Sequence, residues 1–168
     1  MRMHKLSLAV TLWLALSVAP PVAEAQDNDK RLAGVPGVRL VIEDLTDSAK
    51  RCGVNTDEIK SAAMYPLSGS NLTVGDLKQY QLPIFYIQII TVNPSASQGP
   101  CSSAINVRVY SLRSLKVYAD FPNLFQVELW NKNLITISAN SQHGRMVREA
   151  IETLTKEFVT AWNLDNKK

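Results

Sequence analysis

Cysteine and histidine are scarce in this sequence, which has two of each among 168 residues. A tetrahedral zinc site needs more Cys and His ligands than remain once a disulfide is formed. The carboxylates at Asp27, Asp29, Glu43 and Asp44 lack the spacing of a calcium loop. The phosphate-binding patterns G-x-x-x-x-G-K and G-x-G-x-x-G are also missing. The sequence therefore predicts no metal site and no cofactor.

Positive charge is limited as well. The chain carries 18 Lys and Arg against 15 Asp and Glu, for a net charge of +3, and its cations form no cluster. Binding to nucleic acid or to an anionic membrane surface relies on a concentrated basic patch. We therefore expect no nucleic-acid partner.

No apolar run reaches the roughly 20 residues of a membrane-spanning helix. The N-terminal run, residues 6–18, follows two basic residues and precedes the small-x-small sequence Ala-Glu-Ala that ends at Ala25. This is the pattern of a cleavable signal peptide over residues 1–25. No cysteine follows the cleavage site to carry a lipid. We expect a periplasmic or secreted product with no stable membrane insertion.

The two cysteines, Cys52 and Cys101, both lie after the predicted cleavage site. An even number of cysteines in an oxidising compartment predicts one disulfide. It would close a loop of about 50 residues and stabilise the fold by roughly 4 kcal/mol in the chain-entropy model. The alternative is a pair of separate buried thiols. A redox site lacks the C-x-x-C spacing.

The remaining length of about 140 residues suits one domain. Residues 26–37 are polar and then rich in Gly and Pro, which predicts a flexible lead-in. The domain itself is expected over residues 38–163, with a tail at 164–168.

Hydrophobic patterning within that domain predicts an α+β fold. Residues 82–93 form the longest β-compatible run and are the expected central strand. Further strands are predicted at 38–45, 71–74, 105–110, 124–130 and 134–138. Residues 112–119 either extend a strand past a bulge or form another one. A turn is expected at 120–123 and a tight hairpin loop at 131–133.

Helix signals fall on either side of these strands. Thr46 caps a short helix that ends at Gly53. Asn55, with Glu58 three residues on, begins a second helix, which Pro66 should kink or end near Tyr65. Residues 141–163 carry an apolar stripe at steps of three and four, which predicts a long helix across the sheet. The expected architecture is one antiparallel or mixed sheet of about five strands, with helices packed mainly on one face.

The order of PIFYIQIITV, INVRVYSL, FQVELW and REAIETLTKEFVTAW resembles the layout of small periplasmic modules. It is similar to the amino-terminal domain of the Tol–Pal translocation protein and to outer-membrane lipoproteins that activate penicillin-binding proteins. It also looks like small exported proteobacterial proteins. The chain departs from the lipoproteins by lacking a lipobox cysteine and by having the cysteine pair. The resemblance implies a fold, and function inferred from it is analogy.

His143 is the one histidine after the predicted signal peptide. A general base or a nucleophile–base pair needs partners that the sequence does not show, although Ser138 and Ser141 lie close in sequence. We expect a surface or capping role. Paired carboxylates of a glycosidase type stay open, because any two acids can meet in space.

Strand alternation separates the side chains of the sheet into two faces. We expect the core face to carry Phe85, Ile87, Ile89, Ile105, Val107, Val109, Phe125, Val127 and Leu129. The opposite face then carries Tyr86, Gln88, Arg108, Tyr110, Gln126, Glu128 and Trp130. Tyr, Trp and Arg are enriched where proteins bind partners.

Three interpretations of that second face are open. The first is a docking face for an envelope protein, a glycan or a small ligand. The second is an ordinary solvated face with stabilising cross-strand pairs. The third is a homo-oligomer formed through an edge strand. We favour a non-enzymatic exported interaction or binding module. The alternative is a small ligand carrier or hydrolase-like enzyme, which should show a concave pocket with convergent titratable groups near His143.

Overall fold

The computed structural model describes residues 30–76, 78–79, 81–93, 99–118 and 121–167, with backbone alone for 113–118 and 121–124. The predicted signal peptide lies outside the described residues. The strands are β1 (Gly37–Ile42), β2 (Thr73–Gly75), β3 (Ile84–Val92), β4 (Cys101–Tyr118) and β5 (Phe121–Ser138). The helices are α1 (Asp47–Arg51), α2 (Thr56–Ser68) and α3 (Asn140–Asp165).

The five strands form one mixed sheet in the order β2-β1-β3-β4-β5. β1 pairs in parallel with β2 and β3, whereas β3–β4 and β4–β5 are antiparallel. The predicted α+β class with about five strands and a long C-terminal helix is confirmed. β3 is the central strand, as the sequence predicted.

The helices cover one face of the sheet and bury its core. Phe85 and Ile87 of β3 and Val107 of β4 are fully buried there. α3 supplies Ile151 and Phe158, and the Phe158 ring contacts the Phe85 ring edge-on with a centroid distance of 5.1 Å. We refer to the opposite face of the sheet as the outer face.

The predicted helix starts are confirmed. Thr46 Oγ1 accepts a hydrogen bond from the Ala49 amide at the start of α1. Asn55 Oδ1 accepts hydrogen bonds from the first-turn amides of α2. Gly53 has φ +75°, the left-handed conformation that suits glycine after a helix. α2 does not end near Tyr65 but includes Pro66, because a proline in the last turn removes only one helical hydrogen bond.

The hairpin loop predicted at residues 131–133 is wrong. These residues pair with β4 inside the single strand β5, which replaces the two strands predicted at 124–130 and 134–138. Asn-Lys-Asn resembles a turn because all three side chains are polar, but on an edge strand both faces meet solvent. Residues 112–118 extend β4, one of the two predicted options, and β5 already begins within the predicted turn at 120–123.

A register shift in the β4–β5 pair lies between Val109 and Tyr110. Val109 stands opposite Trp130, and Tyr110 stands opposite Glu128, so Leu129 is the extra residue of a β-bulge. A bulge reverses the side-chain parity of the strand that contains it. The predicted side-chain alternation of β5 is therefore correct for the residues before Leu129, and it is reversed at Trp130.

Part of the predicted flexible lead-in belongs to the folded unit. Leu32 and Val35 are buried against the core. Trp162 Nε1 of α3 donates to the Val35 carbonyl at 2.8 Å, and the Leu32 amide donates to Asp165 Oδ2 at 3.0 Å. Residues 30–36 are thus anchored to the end of α3, whereas residues 26–29 lie outside the described residues. Within the ranges given above, no helix combines the length and the apolarity needed to cross a bilayer.

Candidate functional site

The outer face is organised in rows, because β3, β4 and β5 run antiparallel in direct register. Each row takes one side chain from each strand. The rows are Tyr86, Arg108, Asn131; Gln88, Asn106, Asn133; Ile90, Ala104, Ile135; and Val92, Ser102, Ile137. The face therefore changes from aromatic and charged at one end, through amides, to aliphatic at the other.

The charged end holds an arginine over two tyrosine rings. The guanidinium carbon of Arg108 lies 4.8 Å from the ring centroid of Tyr86 and 5.7 Å from that of Tyr110. The two rings are 6.2 Å apart and tilted by 60°. Contacts of this kind are attractive and favour this orientation of the arginine. We call Tyr86, Arg108 and Tyr110 the Tyr–Arg–Tyr stack.

Glu43 fixes the outer edge of this stack. The Tyr86 hydroxyl donates a hydrogen bond of 2.7 Å to Glu43 Oε2. This hydrogen bond raises the pKa of Tyr86 above its ordinary value, and burial raises it further. The hydroxyl therefore stays protonated near neutral pH and continues to hold the Glu43 carboxylate.

The aliphatic end is exposed to solvent. Ile90 is 54% exposed and Val92 is 60% exposed in β3, while Ile135 is 71% and Ile137 is 69% exposed in β5. The register places these side chains in two adjacent rows around Ala104. We call the four β-branched residues the aliphatic patch. The sequence-based prediction of a partner-binding face did not include it.

The structure brings together most, but not all, of the residues predicted for a partner-binding face. Tyr86, Gln88, Arg108, Tyr110 and Glu128 lie in neighbouring positions on the outer face. Gln126 pairs with Leu112 beyond the end of β3, on the part of the β4–β5 hairpin that extends past the rest of the sheet.

Trp130 lies on the opposite side, against the helices, and its placement on the outer face was wrong. Its ring contacts the Phe158 ring of α3 edge-on at 5.5 Å. Phe125 and Val127 were also predicted in the core, but they are 39% and 43% exposed. The bulge at Leu129 accounts for the face of Trp130. Residues 125–127 keep the predicted parity but pair with the part of β4 that extends past the first residue of β3.

A buried polar network, missed from the sequence, lies on the helix side. His143 is fully buried, so a surface position was wrong. Its Nε2 is 2.7 Å from Ser103 Oγ and its Nδ1 is 2.9 Å from Ser138 Oγ. Ser103 Oγ also lies 2.7 Å from Thr91 Oγ1. In the sequence, this network is marked by one hydroxyl residue at a core-facing position of each strand: Thr91 in β3, Ser103 in β4 and Ser138 in β5.

The pairing of Ser103 with His143 has the atoms of a nucleophile–base pair but not its accessibility. Ser103 is fully buried beneath α3, so a substrate carbonyl has no path to its hydroxyl. Burial lowers the pKa of His143 below its ordinary value. A neutral imidazole that bonds one hydroxyl at each nitrogen satisfies the network without any charge.

The predicted disulfide is present between Cys52 and Cys101. Both cysteines are fully buried beside this network. Asn93 Nδ2 donates to both sulfurs, at 3.7 Å to Cys52 and 3.5 Å to Cys101. The bridge joins the end of α1 to the first residue of β4.

Surface grooves offer little for catalysis. One groove with a volume of about 520 Å³ lies between α2 and the β1–β2 edge, and its lining includes Leu40, Ile42, Met64 and Val74 together with Lys60 and Asp76. His143 lines none of the five grooves found on the described surface. Among described residues, no three Cys, His, Asp or Glu side chains come close enough to hold a metal ion.

Comparisons with known proteins give no family. No protein-family model matches the sequence, and no curated protein matches it significantly. Among solved structures, a minor lipoprotein from Acinetobacter baumannii matches with a TM-score of 0.43 and 8% sequence identity, covering 79% of this chain and 94% of that chain. That similarity is too low to assign the chain to a family or to transfer a function.

Proposed function

We propose that this protein is an exported, non-enzymatic interaction module that binds a protein partner through the outer face of its sheet. The observation that carries the proposal is the aliphatic patch. Four β-branched side chains, each more than half exposed, occupy two adjacent rows, and the amide row of Gln88, Asn106 and Asn133 separates them from the Tyr–Arg–Tyr stack. Contiguous exposed apolar surface is typical of protein-binding sites, and Tyr and Arg are enriched in such sites.

A solvated sheet face without a partner is the main alternative, and it does not account for the patch. The solvent face of an antiparallel sheet normally alternates to polar residues. The amide row shows that pattern, because Asn106 Nδ2 donates to Asn133 Oδ1 across the strands. Ile135 and Ile137 break it on an edge strand, where natural sequences usually place charges or proline against aggregation.

Export rests on the signal-peptide pattern of residues 1–25 and on the disulfide, which persists in oxidising compartments. The layout resemblance to small periplasmic modules supports the same location. We infer a periplasmic or secreted protein whose partner belongs to the cell envelope.

Site-specific photo-crosslinking in the native envelope tests the proposal. A photoreactive residue at position 133, between the patch and the stack, should capture a defined partner that a residue at position 164 of α3 does not. The double variant Ile135→Thr/Ile137→Thr should abolish that capture. Leu164→Ser, which removes an aliphatic side chain that is also more than half exposed, should leave it intact.

Both variants alter exposed side chains, so the thermal midpoint should shift by no more than about 2 °C. Capture that survives Ile135→Thr/Ile137→Thr in a protein with an unchanged midpoint would show that the outer face is not the binding surface.

A small-ligand carrier is the second candidate, and the groove between α2 and β1–β2 favours it. Its apolar lining fits a ligand with a short hydrocarbon part, and the lining carries one cation, Lys60, and one carboxylate, Asp76. Displacement of a fluorescent fatty-acid probe, lost in Met64→Glu, would support a carrier. Hydrolase activity has less support, because the Ser103–His143 pair is inaccessible.

A further inference from the structure

We propose that the partner is an extended polypeptide segment that presents one carboxylate to Arg108 and aliphatic side chains to the aliphatic patch. This inference rests on the proposed function and specifies the chemistry of its partner. Two features of the outer face carry it, namely the unsatisfied state of Arg108 and the spacing between the Tyr–Arg–Tyr stack and the patch.

Arg108 is held in place without a counter-ion. Within the described part of the chain, it contacts two tyrosine rings, and its Nε is shielded from solvent with no hydrogen-bond partner. Glu43, which follows the neighbouring strand β1, accepts a hydrogen bond from the Tyr86 hydroxyl. A guanidinium fixed in one orientation binds a carboxylate at a reduced entropic cost, because its fork of donors is already positioned.

The charges around Arg108 select a single carboxylate over a polyanion. Glu43 lies on one side of the stack, and Glu128 stands opposite Tyr110 on the other. These two acids would repel a nucleic acid or an anionic lipid surface, each of which needs several cations. One carboxylate from a polypeptide can approach between them. Arg39, at an outward-facing position of β1, is buried.

The rows of the sheet set the spacing of the partner. Arg108 is four residues from Ala104 and six from Ser102 along β4, which corresponds to about 13 Å and 20 Å in an extended chain. An extended segment lying along β4 and β5 presents alternate side chains to the face. It therefore needs aliphatic residues at positions i and i+2, a small polar residue at i+4 over the amide row, and Asp or Glu at i+6.

Selection from a displayed library of random heptapeptides on the immobilised full chain tests this arrangement. The selected peptides should be enriched in two aliphatic residues two positions apart, with an acid four positions beyond the nearer one. Selection on Arg108→Gln should lose the acid but keep the aliphatic pair. Selection on Ile135→Thr/Ile137→Thr should lose the aliphatic pair.

The affinity of the most enriched peptide provides a second measurement. Arg108→Gln should weaken binding at least about ten-fold, as for an arginine at the centre of an interface. Arg108→Lys should restore only part of the affinity, because lysine lacks the planar fork. Circular dichroism spectra and thermal midpoints should match those of the unmodified protein.

The possible results separate this inference from the proposed function. Aliphatic enrichment without an acid, or equal affinities of the unmodified protein and Arg108→Gln, would overturn the inference and leave a docking face intact. No enrichment at all, or enrichment that Ile135→Thr/Ile137→Thr does not change, would overturn both. A concentration-dependent dimer that the same double variant abolishes would show that a second copy of the chain occupies the face, which would also overturn the inference.

Discussion

Replacing His143 with Gln should change how the free energy of unfolding depends on pH. Burial lowers the pKa of His143 in the folded protein. The groups that bond its ring are the hydroxyls of Ser138 and Ser103, and Ser103 in turn bonds Thr91. None of these hydroxyls offers a negative charge to an imidazolium. The unfolded chain should titrate near the ordinary histidine pKa of about 6.5.

The sign of the effect follows from this difference. Below pH 6.5, the unfolded chain takes up a proton that the folded protein excludes, so acid favours unfolding. The contribution of the neutral imidazole is fully present above pH 6.5. It is lost as the pH falls from there towards the folded pKa, by at most about 1.4 kcal/mol per pH unit.

His143→Gln removes one or both of the imidazole hydrogen bonds, each worth about 1 kcal/mol, and leaves a buried hydroxyl less satisfied. We therefore expect the variant to be less stable than the unmodified protein by about 2–3 kcal/mol at pH 7.5. That gap should narrow by up to about 2 kcal/mol between pH 6.5 and pH 5. Carboxylate titration is common to both proteins and cancels in the comparison.

Urea unfolding followed by circular dichroism at several pH values gives both free energies, and the imidazole proton resonance of His143 reports its titration directly. Thr155→Val is the matched control, because Thr155 is equally buried in α3 but does not titrate. Its stability gap should be independent of pH. A gap for His143→Gln that stays constant, or widens in acid, would refute the assignment of His143 as a neutral buried group.

Three further predictions concern stability. Replacing both cysteines with Ala should lower the free energy of unfolding by about 4 kcal/mol in the chain-entropy model, and alkylation followed by intact-mass measurement should detect free thiols only after reduction. Gly144→Ala should destabilise the protein by about 1–3 kcal/mol in urea unfolding, because the added Cβ would overlap the Gly53 carbonyl. Gly69→Ala meets only ordinary contacts and should be nearly neutral in the same measurement. Trp130→Ala should lower the free energy of unfolding by about 2 kcal/mol, because it loses packing on α3. Tyr110→Ala, on the outer face, should lower it by less than about 1 kcal/mol. Equal losses would contradict the assignment of the two residues to opposite faces.

Local patterns were sufficient to predict the elements that alternate without interruption. From Phe85 to Ile89 in β3 and from Ile105 to Val109 in β4, every second residue is apolar, and the structure buries those residues as expected. The same rule failed in β5, because one extra residue at Leu129 reverses the parity, and a bulge has no necessary sequence signature. Trp130 was assigned to the wrong face for this reason alone.

Other features depend on contacts between distant parts of the chain. His143 is polar and follows a strand, which predicts exposure, but β4 and β5 each bring a serine hydroxyl to its ring. Leu32 and Val35 lie in a Gly-rich and Pro-rich stretch, yet the end of α3 buries them more than 120 residues later in sequence. The aliphatic patch was not predicted because Ile135 and Ile137 read equally well as core residues until the sheet order is known.

The buried network and the aliphatic patch are connected through the strands that carry both. Ser103 faces His143, and its neighbours in β4 face outwards among the patch residues. A slip of one residue between β4 and β5 would turn Ile135 and Ile137 towards the core and remove Ser138 from the imidazole. Hydrogen bonds between two serines and one fully buried histidine oppose that slip, because each misplaced hydroxyl would be left unsatisfied. The polar core thus fixes the register that keeps the patch on the surface. Rigidity of this kind lowers the entropic cost of the partner binding that we propose for the outer face.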